Sequence, residues 1–207
     1  SEDEKTITFW NVSGAPLRIE RYEKGLLVDG TYYSPQNTIE SEVQEGEGIR
    51  YKRSRTGVLL GIDHISQGEL QIRTTIYPNG QTHVVSEFSD YLLNGKQEIY
   101  TASGRLYMSK DWEDGFMHGK KIAYKNDQIV METPYEYGKK DGVEKRFDPQ
   151  GNLLAEIRYQ GDEKHGLTIR YNDKDLAKEE WFFHGKAISH ERFQALMHKE
   201  EALQIHE

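Results

Sequence analysis

The side chains able to do chemistry are plentiful but scattered. Eight histidines stand at 64, 83, 118, 165, 184, 190, 198 and 206, and none falls in an H-E-x-x-H or other metal-ligand spacing. His190, His198 and His206 recur every eight residues along an expected helix, so they drift around its surface and read as solvated. His118 and His184 each precede Gly-Lys, a shared repeat position that reads as structural. Asp111, Glu113 and Asp114 flank Trp112, and Asp162-Glu163 follow Gly161. A carboxylate pair could run acid–base or glycosidic chemistry, but no pocket-forming context surrounds these, and a solvated face accounts for them. Gly46-Glu47-Gly48 lacks the rest of a phosphate loop, and a G-x-S-x-G elbow is absent. With no cysteine, disulfides, thiol catalysis and zinc–thiolate sites are excluded. The chain reads as a non-enzymatic protein that needs no metal or cofactor.

Two features suit recognition better. Glu40, Glu42, Glu45 and Glu47 form an acidic run, followed at once by Arg50, Lys52, Arg53 and Arg55. One reading is a charged strand pair or loop that neutralises itself. The other places binding here, because an irregular insertion can vary without unfolding its scaffold, and an acidic run would steer a basic partner. Trp112, Tyr135, Tyr159 and Trp181 recur at one repeat position; they read as sheet packing or, if exposed, as an aromatic ladder that anchors a partner. The candidate partner-binding residues are therefore Glu40, Glu42, Glu45, Glu47, Trp112, Asp114, Tyr135 and Trp181.

These residues ride on a repeat. Lead aromatics Trp10, Tyr33, Tyr51, Tyr77, Tyr100, Tyr124, Phe147 and Tyr171 follow one another at intervals of 23, 18, 26, 23, 24, 23 and 24. The region 33–76 is the least regular. Asp148-Pro149-Gln150-Gly151 shows the turn logic: Asp at the first position, Pro presetting φ, Gly taking the positive φ of a G1 bulge. Gln128 and Asp175 replace that glycine in two units, which predicts strained turns or another type. After the turns the chain alternates apolar and polar, as at Leu153, Ala155, Ile157 and Tyr159. Val130 and Tyr135 are an odd offset apart, which predicts a bulge near Pro134. One hairpin alone is marginal, so successive hairpins must stack.

The expected fold is mainly β: an elongated, twisted antiparallel sheet of stacked hairpin repeats with a C-terminal capping helix. Residues 1–9 read as a lead-in, 10–187 as the array and 188–207 as the helix. Ser189 is the expected N-cap, with Ile188 and Phe193 as the hydrophobic staple; Phe193, Leu196, Met197 and Leu203 mark one helical face. A partner-binding helix is the competing role.

With 35% apolar and 30% charged residues, a thick core is not expected. The formal net charge of −8 argues against a dedicated nucleic-acid or anionic-membrane binder, and no run of 18 apolar residues could span a membrane as a helix.

The unit Tyr-x-x-x-Gly-x-Leu, then an aromatic, then Asn/His-Gly-Lys-x-x-Gly resembles bacterial MORN-variant repeats of the YwqK-like antitoxin family. The matching stretches are Asn94-Gly95-Lys96, His118-Gly119-Lys120, Gly138-Lys139-Lys140-Asp141-Gly142 and His184-Gly185-Lys186. The resemblance covers residues 77–187 and extends weakly back to Trp10. It implies an immunity or antitoxin protein that neutralises a cognate toxin or effector by covering its active site or substrate path. The alternatives are a cell-envelope structural or adhesion module binding glycan or protein, a lipid-associated repeat protein, and a hydrolase built on Asp111 and Asp114. A start at Ser1 without Met favours the periplasm or cell envelope over the cytoplasm. Nothing in the pattern sets an oligomeric state.

Overall fold

A computed structural model describes residues 3–172 and 175–204. The chain is mainly β, with antiparallel hairpins following one another in sequence order and one helix near the C-terminus. It divides into two compact units. The first holds β1 (Glu4–Trp10), β2 (Pro16–Glu23), β3 (Leu26–Tyr33), β4 (Ile39–Gln44), β5 (Glu47–Arg53), β6 (Leu59–Ser66), β7 (Glu69–Ile76), β8 (Thr82–Ser89) and β9 (Leu92–Tyr100). The boundary runs within β10 (Leu106–Glu113), whose residues Met108–Asp111 belong to the second unit. That unit continues with β11 (Phe116–Lys125), β12 (Gln128–Glu136), β13 (Lys139–Lys140), β14 (Gly142–Phe147), β15 (Leu153–Gln160), β16 (Glu163–Asn172), β17 (Asp175–Phe183), β18 (Lys186–Ile188) and α1 (His190–Gln204). Pairing with β2 starts at Glu4, so most of the expected lead-in is strand: Ile7 and Phe9 alternate with Thr6 and Thr8 and give β1 a face to pair.

Two kinds of turn join the strands. The longer kind is the expected one. Gly14, Asn37, Gly57, Gly80, Gly104 and Gly151 carry positive φ, and the first residue of each turn accepts the N–H of that residue, as Asp148 does from Gly151 at 3.0 Å. Asn11, Ser34, Ser54, Thr101 and Asp148 also cap their turns with a side-chain oxygen. The second kind is a two-residue turn with both φ positive: Lys24-Gly25, Glu45-Gly46, Gln67-Gly68, Asp90-Tyr91, Asp114-Gly115, Tyr137-Gly138, Gly161-Asp162 and His184-Gly185. Such type I′ turns match the right-handed twist of the strands they join.

This geometry corrects the phase of the repeat. The residues just before the longer turns are Trp10, Tyr33, Arg53, Ile76, Tyr100 and Phe147. Arg53 and Ile76, not Tyr51 and Tyr77, hold the lead position. With Tyr124 and Tyr171 the intervals become 23, 20, 23, 24, 24, 23 and 24, so the hairpins continue through 33–76 with one interval shortened. The turn before Gln128 is Asn126-Asp127, with φ of 50° and 63°, another type I′ turn rather than a strained version of the first kind. Gln128 pairs with Lys125, and Asp175 with Asn172; the two residues inside the latter turn lie outside the described residues. The bulge of this hairpin is at Val130, skipped where Ala123 pairs with Met131 and Tyr124 with Ile129, and Met131 and Thr133 are in step with Tyr135. The irregularity expected near Pro134 is in the facing strand, which divides at Asp141 while its N–H reaches Pro134 O at 3.1 Å.

The first unit is rolled. Flat strands lie about 4.8 Å apart, so elements four strands apart should be separated by roughly 19 Å. Yet Val12 in the β1–β2 turn donates its N–H to Arg55 O in the β5–β6 turn at 3.1 Å. At the other end Leu27 N–H reaches Gly68 O at 3.0 Å. A Cβ on Gly68 would lie 2.8 Å from Leu26 Cβ and 3.1 Å from Leu27 O, so only glycine lets this turn tuck in. Inside the roll Leu27, Tyr32, Val43 and Ile65 are buried, with Tyr22 and Leu70 against them.

In the second unit Ala155, Ile157 and Tyr159 form a smaller cluster. The helix covers one end of its sheet: Phe193 packs on Trp181 and Phe183, and Met197 Sδ lies 3.4 Å from His165 Nε2. Ser189 Oγ accepts the Arg192 N–H at 3.2 Å, the N-cap contact expected of it. Leu203 remains exposed, so the apolar face meets the sheet only along its first two turns.

Candidate functional site

The acidic run does not form one surface. Glu40 holds Arg53 in a two-pronged pair, Nε to Oε1 at 2.6 Å and Nη2 to Oε2 at 2.9 Å. Glu47 accepts the Gln67 N–H at 2.8 Å and the Ser66 hydroxyl at 3.1 Å, tying down the next type I′ turn. Among the described residues Glu42 meets the Gln44 amide alone, at 3.5 Å. Glu45 occupies a turn and gives its N–H to Asp29. Two of the four carboxylates thus serve the scaffold.

The other candidates are also separated. Trp112 is half-buried and donates its indole N–H to Gln97 Oε1 at 3.2 Å. Asp114 sits in a type I′ turn and accepts from Asn94 Nδ2 at 3.0 Å. Tyr135 lies across from Gly119 on β11, and burial pushes its phenol up. Trp181 lies on the face that the helix covers, stacked on His190 with ring centroids 4.2 Å apart. Counted from the type I′ turns, Phe182 rather than Trp181 shares the position of Trp112, Tyr135 and Tyr159. The pairing of His118 with His184 is corrected likewise. His118 Nδ1 accepts the Tyr137 N–H and His165 Nδ1 accepts the His184 N–H, both at 3.3 Å. His118 and His165 are therefore the equivalent pair, each bracing the following turn, and His184 is a turn residue.

What the structure brings together instead is a charged lining inside the first unit. Cross-strand partners Arg50, Asp63 and Arg73 face inward in one row. Asp63 is fully buried and accepts four hydrogen bonds: Arg50 Nε and Nη2 at 2.9 and 2.8 Å, Arg73 Nε and Nη2 at 2.8 and 3.0 Å. Burial alone would raise its carboxyl; the Arg73 hydrogen bond and the Arg50 charge outweigh that and hold it below the usual range. Glu20, also buried, accepts the Tyr22 and Tyr32 hydroxyls, both at 3.1 Å, and lies 3.6 Å from Arg50. Burial pushes the Lys52 amine down, and Arg73 nearby adds to the shift. Glu144 of the second unit follows the same pattern, with burial overcome by Arg146 and Thr133. With four donors on its two oxygens, the Asp63 carboxylate has its acceptor sites filled by the two arginines.

Sequence reasoning missed this row because the phase was wrong at Tyr51 and Tyr77. In the corrected register Glu20 and Asp63 stand two residues before Tyr22 and Ile65, which precede their type I′ turns by the same step. Equivalent places hold Ser86, Thr133 and Ile157. Acidic residues at an inward position were the available signal.

The roll is open at the longer-turn end. Thr8, Phe9, Trp10, Leu17, Arg18, Arg53 and Arg55 line a cavity of about 380 Å³ there. The Arg18 guanidinium lies 3.7 Å from the Phe9 ring centroid. Its Nε is buried with no hydrogen-bond partner, and Glu20 Oε2 is 3.7 Å away, beyond bonding distance. Such an arrangement can hold an anion against an aromatic wall; no nucleophile lines it beyond the Thr8 hydroxyl. Among the described residues no three His, Asp or Glu side chains converge to hold a metal ion, and no helix is long and apolar enough to cross a membrane.

No protein-family model matches this chain, and a search of curated proteins finds no match either.

Proposed function

We propose that the chain is a protein-binding scaffold of the immunity or antitoxin kind, which neutralises a toxin or effector by covering its active site or substrate path. The toxin half of this reading rests on the resemblance of the repeat units. The binding half rests on one observation. The first unit buries Glu20 and Asp63 among tyrosine and arginine partners yet leaves Trp10, Val12, Ile39, Val58 and Leu60 exposed at or beside its longer turns. Trp10 beside Arg53 and Arg55 is of the residue types enriched in interface hot spots, and the aliphatic groups around it can exclude water from such a contact. Loops on a rigid array carry recognition at little cost to the fold.

Co-expression with the product of the neighbouring gene tests it. The expected result is a complex recovered by pull-down and survival of cells that the neighbouring product alone kills. Recovery of no toxin-like protein, together with no rescue, overturns it.

A further inference from the structure

The cavity at the longer-turn end of the first unit has a charge opposite to that of the chain. Three guanidiniums line it and no carboxylate does, in a protein of net charge −8. Arg53 is already paired with Glu40 and donates to Gly57 O at 2.8 Å. Arg18 and Arg55 are not so committed. Arg18 carries five N–H donors in a fixed fork; its buried Nε meets no hydrogen-bond acceptor among the described residues, and its ion-pair partner Glu20 lies 3.7 Å away. Arg55 is exposed, and its backbone carbonyl is pinned by the Val12 N–H, which fixes the base of the side chain at the mouth. Beside it Trp10 is 54% exposed and Val12 68%.

We infer that this cavity is an anchor for an acidic segment of a partner protein: a side-chain carboxylate is taken by Arg18 and Arg55, and the apolar residue next to it lies on Trp10 and Phe9. The inference rests on the scaffold reading and gives its partner a charge. A guanidinium fork matches a carboxylate in two-pronged geometry. A free phosphate would use the arginines and leave the apolar rim idle. A nucleic acid needs an extended basic track, which three arginines on an acidic chain do not supply. The surface expected from the sequence, an acidic run facing a basic toxin, is thereby replaced by one of opposite sign.

The test uses the full chain and a blocked pentapeptide, Gly-Asp-Leu-Asp-Gly, followed through the Trp10 indole N–H signal in NMR. Its counterpart with Asn at both acidic positions, free glutamate and inorganic phosphate are the other probes. The expected result is a saturable shift with the acidic peptide that weakens as salt is raised. Arg55→Ala and Arg18→Met should each weaken it at least tenfold, the methionine keeping the packing on Phe9, and circular dichroism checks that both variants fold. Equal binding of the Asn peptide overturns the anchor. So does complete displacement of the acidic peptide by equimolar phosphate, which marks a plain anion site, or unchanged binding in folded arginine variants. A partner that still binds the Arg55→Ala protein at full strength overturns the anchor but leaves the scaffold reading standing. Failure to recover any partner, with the peptide result intact, does the reverse.

Discussion

The two units are made from the same hairpin yet reach burial differently. In the first, turns close over the sheet, with Val12 on Arg55 and Leu27 on Gly68, and the inward face becomes a core containing Tyr32 and Asp63 at zero exposure. In the second, the buried cluster is Ala155, Ile157 and Tyr159, and the chain adds a helix on the other face, where Trp181 and Phe183 would otherwise meet water. A single sheet buries its residues only if it curls or is covered. Curling brings charged groups inside, so it must supply their partners; covering asks for little more than a few rings and a capped helix.

The sharpest way to break this contrast is at Asp63. Asp63→Leu removes the carboxylate that Arg50 and Arg73 share, leaving Arg50 with Glu20 at 3.6 Å and Arg73 without its buried partner. Removing one partner of a buried charge network costs about 3–5 kcal/mol, and urea unfolding should show that loss. Glu180→Leu, in the second unit and paired with the exposed Arg170 and Lys178, should cost less than about 1 kcal/mol. Equal losses would mean that the roll does not depend on its ion network.

Next in size is the close approach at Gly68. Gly68→Ala adds a Cβ inside contact distance of Leu26 and Leu27 O on top of a positive φ. Local strain of this kind costs about 1–3 kcal/mol. Gly151→Ala meets nothing within 4 Å at φ 85°, so it should fall at the low end, about 1 kcal/mol. Thermal melts of the two variants rank closure against turn strain alone.

How far the sequence foretells all this differs between the elements. The hairpins, the longer turns and the Ser189 cap were legible, because Asp148-Pro149-Gln150-Gly151 and Ser189 act through local backbone geometry. The type I′ turns were half legible: Lys24-Gly25 and Asp114-Gly115 carry the composition, but Asp90-Tyr91 and Asn126-Asp127 do not contain glycine. The roll was not legible. It depends on contacts such as Leu27 with Gly68, 41 positions apart, which no local periodicity encodes. The cavity was hidden for the same reason: Arg18 and Arg55 meet only when the β1–β2 and β5–β6 turns do. The acidic run was legible as a charged strand pair that neutralises itself, which Glu40 does with Arg53; that Glu47 would hold the Ser66–Gln67 turn was not, because it depends on the register of β5 against β6.

The smallest effect is a pH dependence of the helix contact, and its sign separates two histidines. His184 Nε2 lies 3.1 Å from Glu200 on α1 and its Nδ1 lies 3.3 Å from Glu163; the Glu200 hydrogen bond raises its pKa above the ordinary 6.5. Its contribution is therefore complete below pH 6.5 and fades as pH rises through the raised value. His165 packs under Phe193 and Met197; burial, reinforced by the charge of His184, lowers its pKa. Its neutral form is the folded one, so it costs nothing above pH 6.5 and destabilises as pH falls from there toward the lowered value. Between the two lies an optimum near neutrality for α1 on β16 and β17. His184→Gln should flatten the alkaline side of the profile, and His165→Asn the acid side, in helix-signal melts at closely spaced pH. Both histidines sit where the chain covers its sheet instead of curling it. The same scan read at the first unit, where Asp63 and Glu20 are the buried acids, should stay level through this range and lose stability only near the carboxylate range, as Asp63 takes up its proton. A neutral-range transition there would show that the two modes of burial are not electrostatically distinct.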